Sequence, residues 1–195
     1  MRHLEIGFDE ITVPLAQENT HEEMLHWTPS GKCPSLHDGE IVVWDSLAII
    51  EYLAESFPQA PVWPGSREAR AQARSLAAEM HSGFAGLRAS LPMNMRRKVK
   101  KRELSPEAAA DVARLEGAFA KTRAEFGGAS GFLFGDFSAA DAMFAPVVNR
   151  LHVYAVDVSA QTRAYMDRTM ALPAWRRWAA EAQAEPWVIS KYEIA

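Results

Sequence analysis

Nine residues, 58–66 (PQAPVWPGS), hold three prolines and one glycine and divide the chain into two stretches of different periodicity. Each proline removes a backbone donor and fixes φ, so no regular element runs through this stretch. Before it, short β-prone segments alternate with short helical patterns; after it, every periodic segment has helical spacing. Charge changes at the same place. Residues 1–65 carry 11 acidic and 2 basic side chains, a net −9, whereas residues 66–195 carry 14 acidic and 19 basic, a net +5. Two domains are therefore expected, 1–60 and 66–195. With 195 residues and 48% hydrophobic composition, the chain can bury a core and is not wholly disordered.

The same arithmetic narrows the function classes. A net charge of −4 gives no electrostatic footprint for nucleic acid, so no nucleic-acid partner is expected. The single cysteine cannot form an internal disulfide, which suits a reducing cytoplasm. The N-terminus lacks the apolar run of a signal peptide, and no stretch approaches the roughly 20 apolar residues of a membrane span. Among the six histidines, His21 and His26 lie five apart and off a common helix face, so no metal site is expected.

Along the first half, Arg2–Ile6 has the look of a last helical turn stopped by Gly7. Phe8–Leu15 alternates as FDEITVPL and predicts a strand, with Pro14 at its end or edge. Asn19 or Thr20 can cap a short helix running to about His26, which TPSG then breaks. Cys33–His37 predicts a strand, Asp38-Gly39 a two-residue hairpin turn, and Glu40–Val43 the return strand. Asp45-Ser46 then opens a helix with Ile49, Ile50, Leu53 and Phe57 at helical spacing, stopped by Pro58. In the second half, Ser66–Leu91 predicts one long helix with Leu76, Met80, Phe84 and Leu87 along one face. A helix from Ser105-Pro106 runs to Phe126, where Gly127-Gly128 ends it. The next starts at Ser138, where Ser138 and Asp141 make a capping-box pattern worth about 0.5–2 kcal/mol. Pro146 lies inside that helix and is expected to kink it. Further helices are expected at about Ala160–Met170 and from Pro173, with Trp175 and Trp178 turned inward.

Three patterns carry the chemistry, and their order matters more than any one of them. Gly31-Lys32-Cys33-Pro34-Ser35-Leu36 puts a proline at the opening of a strand. Asp45-Ser46-Leu47-Ala48-Ile49 puts an acid and a hydroxyl at a helix N-terminus, where free N–H groups and the helix dipole favour a carboxylate. FLFGDFSAADAMFAPVV follows in the helical half. Taken together and in this order, they resemble the cytosolic glutathione S-transferases over nearly the whole chain. The resemblance implies an α+β thioredoxin-like N-terminal domain, here lacking its first β-α unit, followed by an all-α helical domain.

It also implies a function: binding glutathione as cosubstrate and transferring it to small electrophiles, or using it to isomerise them. Glutathione is then expected along Lys32, Cys33, Pro34, Asp45 and Ser46. The backbone of Cys33 would hold the cysteinyl part as an added strand. Asp45 and Ser46 would take the γ-glutamyl end, and Lys32 would pair with the glycyl carboxylate. The family commonly has Glu or Gln where Asp45 stands, so the reach is shorter here. Met80, His81, Phe84 and Arg88 are candidates for the second-substrate site, since they stack at i, i+3 and i, i+4 spacing. The run Arg96-Arg97-Lys98-Val99-Lys100-Lys101-Arg102 could attract an anion, or serve as a solvated loop. Ser138 and Asp141 are expected to be structural, with Phe132, Phe134 and Phe137 packed beneath.

The family's catalytic Tyr, Ser or Cys lies at the end of its first strand or just after it, and none of these stands in the first 29 residues here. The chain is thus expected to be N-terminally truncated relative to the family, with its catalytic residue upstream of Met1. A non-catalytic glutathione-binding or interaction protein on the same fold is the alternative, and a thiol oxidoreductase using Cys33 a third. The family implies a homodimer, a pairing compatible with the opposite charges of the two halves.

Overall fold

The computed structural model describes residues 1–194, which divide into two compact units: Met1–Val62 with Trp187–Ile189, and Trp63–Pro186 with the residues from Ser190. In the first unit a short 3-10 turn, Arg2–Leu4, leads into an extended segment and then helix α1 (Thr20–Trp27). Strands β1 (Ser35–Asp38) and β2 (Ile41–Trp44) pair antiparallel, and helix α2 (Ser46–Ser56) packs on both. The register sets Ser35 opposite Trp44 and Asp38 opposite Ile41. The turn is therefore Gly39-Glu40, one residue later than the Asp38-Gly39 pair expected. Gly39 has φ +57°, at the first central position, where a II′ turn needs glycine. Two contacts lock the hairpin in place: Tyr52 Oη on α2 donates to Asp38 Oδ2 at 2.7 Å, and a His37 ring nitrogen lies 2.7 Å from the Trp27 carbonyl.

Phe8–Leu15 is not a strand; among the described residues the sheet has two strands only. Alternation specifies which face of a strand is apolar but supplies no neighbour, and backbone groups become a strand by pairing. Phe8, Ile11 and Leu15 are exposed instead.

The second unit is helical: α3 (Arg67–Ser82), α4 (Ala85–Ser90), α5 (Pro106–Phe126), α6 (Ala139–Val153), α7 (Ala160–Ala171) and α8 (Pro173–Ala184). Caps start the helices where the sequence places them. Ser66 Oγ accepts from the Ala69 N–H at 3.1 Å, and Ser105 Oγ from the Ala108 N–H at 3.2 Å, with Pro106 in the first turn. α6 runs continuously through Pro146. Edge-on aromatic rings form the middle of the core, Phe119–Phe144 and Phe119–Tyr165 each 4.9 Å apart, with Phe84–Phe144 at 6.2 Å. Trp175 and Trp178 are half-buried and meet edge-to-face, and α8 contributes no fully buried residue.

The expected single helix over Ser66–Leu91 is broken. The Gly83 N–H ends α3 on the Glu79 carbonyl at 2.8 Å, and Phe84 adopts φ +57° before α4 begins. A left-handed aromatic residue costs about 1–2 kcal/mol, whereas burying its ring returns about 1.5–3 kcal/mol. The second effect wins, since Phe84 is 6% exposed. The apolar stripe continues across the break, which is why periodicity does not register it.

α4 lies close against α5. A Cβ on Gly86 would come within 2.7 Å of Glu107 backbone and side-chain atoms, and the Leu87 N–H donates to Asp111 Oδ2 at 2.9 Å. Gly117, in the middle of α5, has nothing within 4 Å of such a Cβ. Gly86→Ala is thus expected to destabilise the fold by about 1–3 kcal/mol through overpacking, whereas Gly117→Ala stabilises it by about 0.5–1 kcal/mol. Urea unfolding of the two variants checks the opposite signs.

Candidate functional site

The hairpin register builds the site in the first unit. Because Ser35 faces Trp44, the residues immediately outside the pair, Pro34 and Asp45, stand at the same end of the hairpin. Eleven positions of sequence separate them, yet the Cys33-Pro34 step and the start of α2 become neighbours. The turn before β1 is held by its own hydroxyls: Thr28 Oγ1 and Ser30 Oγ are 3.0 Å apart, and the Lys32 N–H donates to Ser30 Oγ at 3.3 Å. Ser30, the first serine in the chain, is thereby engaged in the turn. Lys32, Cys33 and Pro34 follow, all exposed, with a cis bond between Cys33 and Pro34. The backbone N–H and C=O of Cys33 take no partner among the described residues.

On the facing side, Asp45 is the N-cap of α2 and Ser46 its first residue. The Asp45 carboxylate accepts the Leu47 N–H at 2.9 Å. Its φ is +74°, a region L-residues seldom adopt and one that costs about 1–3 kcal/mol. Such strain concentrates where a backbone must present itself to a ligand. An exposed extended backbone, a helix N-terminus with its partial positive charge, a hydroxyl and an ammonium thus share one edge. That set suits a small peptide-like molecule with a free carboxylate.

The second-unit candidates do not share one environment. Met80 and Phe84 are buried in the core, whereas His81 and Arg88 are exposed. Arg88 Nη2 donates to the Met80 carbonyl at 2.6 Å and the His81 carbonyl at 3.3 Å, across the end of α3. Much of the basic run is structural. The Lys100 and Arg102 N–H groups donate to the Val153 and Tyr154 carbonyls, closing the end of α6. Arg96 donates to the Glu185 carbonyl at 2.7 Å, Arg97 stacks on Tyr154 and bonds the Ile194 carbonyl, and Lys101 pairs with Asp157.

Among the described residues, the second unit buries one carboxylate, that of Asp141. Asp141 Oδ2 accepts the Ser138 N–H at 2.9 Å and Oδ1 the Leu133 N–H at 3.1 Å, completing the capping box expected from sequence. Burial pushes its carboxyl up to about 6, against the pull of those hydrogen bonds. Burial, and then the Asp141 charge, raise Tyr165 beside it.

A family model described as "Glutathione S-transferase, N-terminal domain" matches residues 1–56, and one described as "Glutathione S-transferase, C-terminal domain" matches residues 103–181. The chain belongs to the glutathione S-transferase family. A glutathione transferase homolog from Burkholderia, solved with bound glutathione, is 25% identical with TM-score 0.71, over 94% of this chain and 88% of that one. The probable maleylacetoacetate isomerase of Caenorhabditis elegans is 34% identical over 80 residues, 40% of this chain and 37% of that protein. A stringent starvation protein A homolog of Haemophilus ducreyi is 29% identical over 145 residues, 72% of this chain and 64% of that protein. The chain thus spans between 23% and 64% of the length of these curated relatives and of a bacterial dichloromethane dehalogenase. As a glutathione S-transferase family member, it pairs a thioredoxin-like N-terminal domain with an all-helical C-terminal one. Among the described residues, no helix is long and apolar enough to cross a membrane.

Asp141 gives a test that separates its cap from its charge. Its folded value near 6 lies above the roughly 3.9 of an unfolded aspartate. Its contribution to stability is therefore fully present below pH 4 and is lost as pH rises through 6. Asp141→Asn keeps one acceptor and does not titrate. The advantage of the natural chain over this variant is expected to shrink by about 1–3 kcal/mol between pH 4.5 and 7.5. Urea unfolding of both at the two pH values measures it; a constant difference contradicts the assignment.

Proposed function

We propose that this protein binds glutathione along Lys32, Cys33, Pro34, Asp45 and Ser46 and transfers it, through its sulfur, to small electrophiles or isomerises them. The observation that carries the reading is the hairpin register, which sets the unpartnered Cys33 backbone beside the N-terminus of α2. Cys33 pairs with the cysteinyl backbone as an added strand would. Ser46 and the N-terminal N–H groups of α2 take the γ-glutamyl carboxylate, Asp45 its ammonium, and Lys32 the glycyl carboxylate. In the transfer, the thiol proton leaves to solvent or a base, the sulfur forms a bond to the electrophilic carbon, and a leaving group departs with its electron pair. In an isomerisation the sulfur adds and is later expelled. His81 and Arg88 are the exposed members of the proposed second-substrate set, with Met80 and Phe84 packed behind them.

A second reading is a non-catalytic glutathione-binding or interaction protein on the same fold, in keeping with a Ser30 hydroxyl that is committed to its own turn. The proposed location is the cytoplasm, on the strength of a single exposed cysteine, and the proposed assembly a homodimer.

Calorimetric titration with glutathione tests the site. Ser46→Ala is expected to weaken binding about tenfold, the cost of one charge-assisted hydrogen bond. Cys33→Ser is expected to bind as the natural chain does, since the backbone and not the sulfur makes the contact. The absorbance of bound glutathione near 240 nm across pH then divides the two readings. A thiol ionising well below its free value supports transfer; an unshifted thiol supports binding alone. Absence of binding overturns both.

A further inference from the structure

Most of the basic run between α4 and α5 is spent inside the second unit, and one short stretch of it is not. Arg96 donates to the Glu185 carbonyl, Arg97 stacks on Tyr154, and Lys101 pairs with Asp157 at 2.6 Å. The Lys98 and Lys100 ammonium groups make no ion pair or hydrogen bond among the described residues, and residues 98–101 are all exposed. Val99, between the two lysines, is 57% exposed. Among the described residues it is the most exposed large apolar side chain of the second unit.

The backbone of this stretch has a free edge. The Lys100 N–H donates to the Val153 carbonyl at 3.0 Å and the Arg102 N–H to the Tyr154 carbonyl at 3.1 Å, while residues 98–102 form no helix or turn. Donors two residues apart that face one side mark an extended chain. In such a chain the N–H and C=O of one residue point together. Val99 and Lys101 therefore present both groups on the opposite side, and none of the four has a hydrogen-bond partner among the described residues. The same alternation sets the Lys98 and Lys100 side chains on one face and Val99 on the other. Lysines along an edge keep neutral and basic strands away. The same charges draw in an acidic one.

We propose that residues 98–101 form a docking edge for an extended acidic segment of a partner protein, one that alternates acid, apolar, acid. Added antiparallel, that segment exchanges backbone hydrogen bonds with Val99 and Lys101. Its two acids then face Lys98 and Lys100 at the non-hydrogen-bonded positions, where facing side chains come closest, and the apolar residue between them meets Val99. The lysines thus select the partner's charge, the backbone its extended form, and Val99 its apolar residue. The edge lies wholly in the helical unit and stands whether or not the glutathione reading holds.

The test is fluorescence anisotropy of a labelled, capped seven-residue peptide of alternating valine and glutamate. It is titrated with the full chain at low ionic strength, where exposed ion pairs are least screened. The peptide is expected to bind saturably, and a lysine–valine peptide of the same length at least about tenfold more weakly. A peptide of the same composition with its glutamates in one block should also bind about tenfold more weakly. Methylating the valine nitrogens, which face the edge, should cost about tenfold or more; methylating the glutamate nitrogens, which face away, should cost little. Lys98→Glu and Lys100→Glu, both at exposed positions, should each weaken binding about fivefold with the urea midpoint unchanged. Lys121→Glu, which reverses the same charge at an exposed position on α5, should leave binding as it was. Absence of saturable binding overturns the proposal. So does equal binding of the block peptide or of the valine-methylated peptide, since charge attraction alone would give both. A single-stranded oligonucleotide of equal charge that binds as tightly, or Lys121→Glu costing as much as Lys98→Glu, overturns it too.

Discussion

Pairing of β1 with β2 is the constraint on which the first unit depends. A slip of one residue would turn every side chain of the hairpin to the other face. It would also part the Cys33-Pro34 step from the start of α2. Gly39 fixes the turn from one end, and Asp38, held by Tyr52, ties the hairpin to α2. Two strands alone are marginal in water, so the helix is part of what makes the sheet. The core of this unit is small, with Ile6, Met24, Leu53 and Val62 its buried apolar residues, while Ile41, Val42 and Trp44 stay exposed on β2. The site therefore stands on a precise hydrogen-bonded frame more than on a large core.

The second unit solves a different problem. Its helices bury interlocking aromatic rings, and their ends are closed by named groups: Ser66, Ser105 and Asp141 at N-termini, Arg88 and the Lys100 and Arg102 backbone at C-termini. Asp141 shows the tension in such an arrangement. Two backbone N–H groups need it as an acceptor, while burial penalises its charge; losing the acceptor would leave those donors unpaired at about 1–3 kcal/mol each. A cap with a raised pKa is the compromise.

Much of this was legible in the sequence because it rests on local signals. Serine caps, Pro106 and the capping box mark helix starts, and Asp45-Ser46 after a hairpin marks α2. The failures share a cause. Phe8–Leu15 has strand alternation without a partner, and pairing is not written in the segment itself. The break at Gly83-Phe84 keeps the apolar stripe in phase, so only the Ser82-Gly83 step hints at it. Features carried by short motifs are readable in advance; those that depend on pairing across the fold are not.

The central claim is that the hairpin register creates a peptide-binding edge at Cys33-Pro34 and Asp45-Ser46. Amide chemical shifts of isotopically labelled protein, followed as glutathione is added, test it most directly. The account expects saturable shifts at the Cys33, Ser46 and Leu47 amides, with those in the middle of α5 unmoved. Saturable shifts confined to the helical unit, with Cys33 and Ser46 silent, would contradict it.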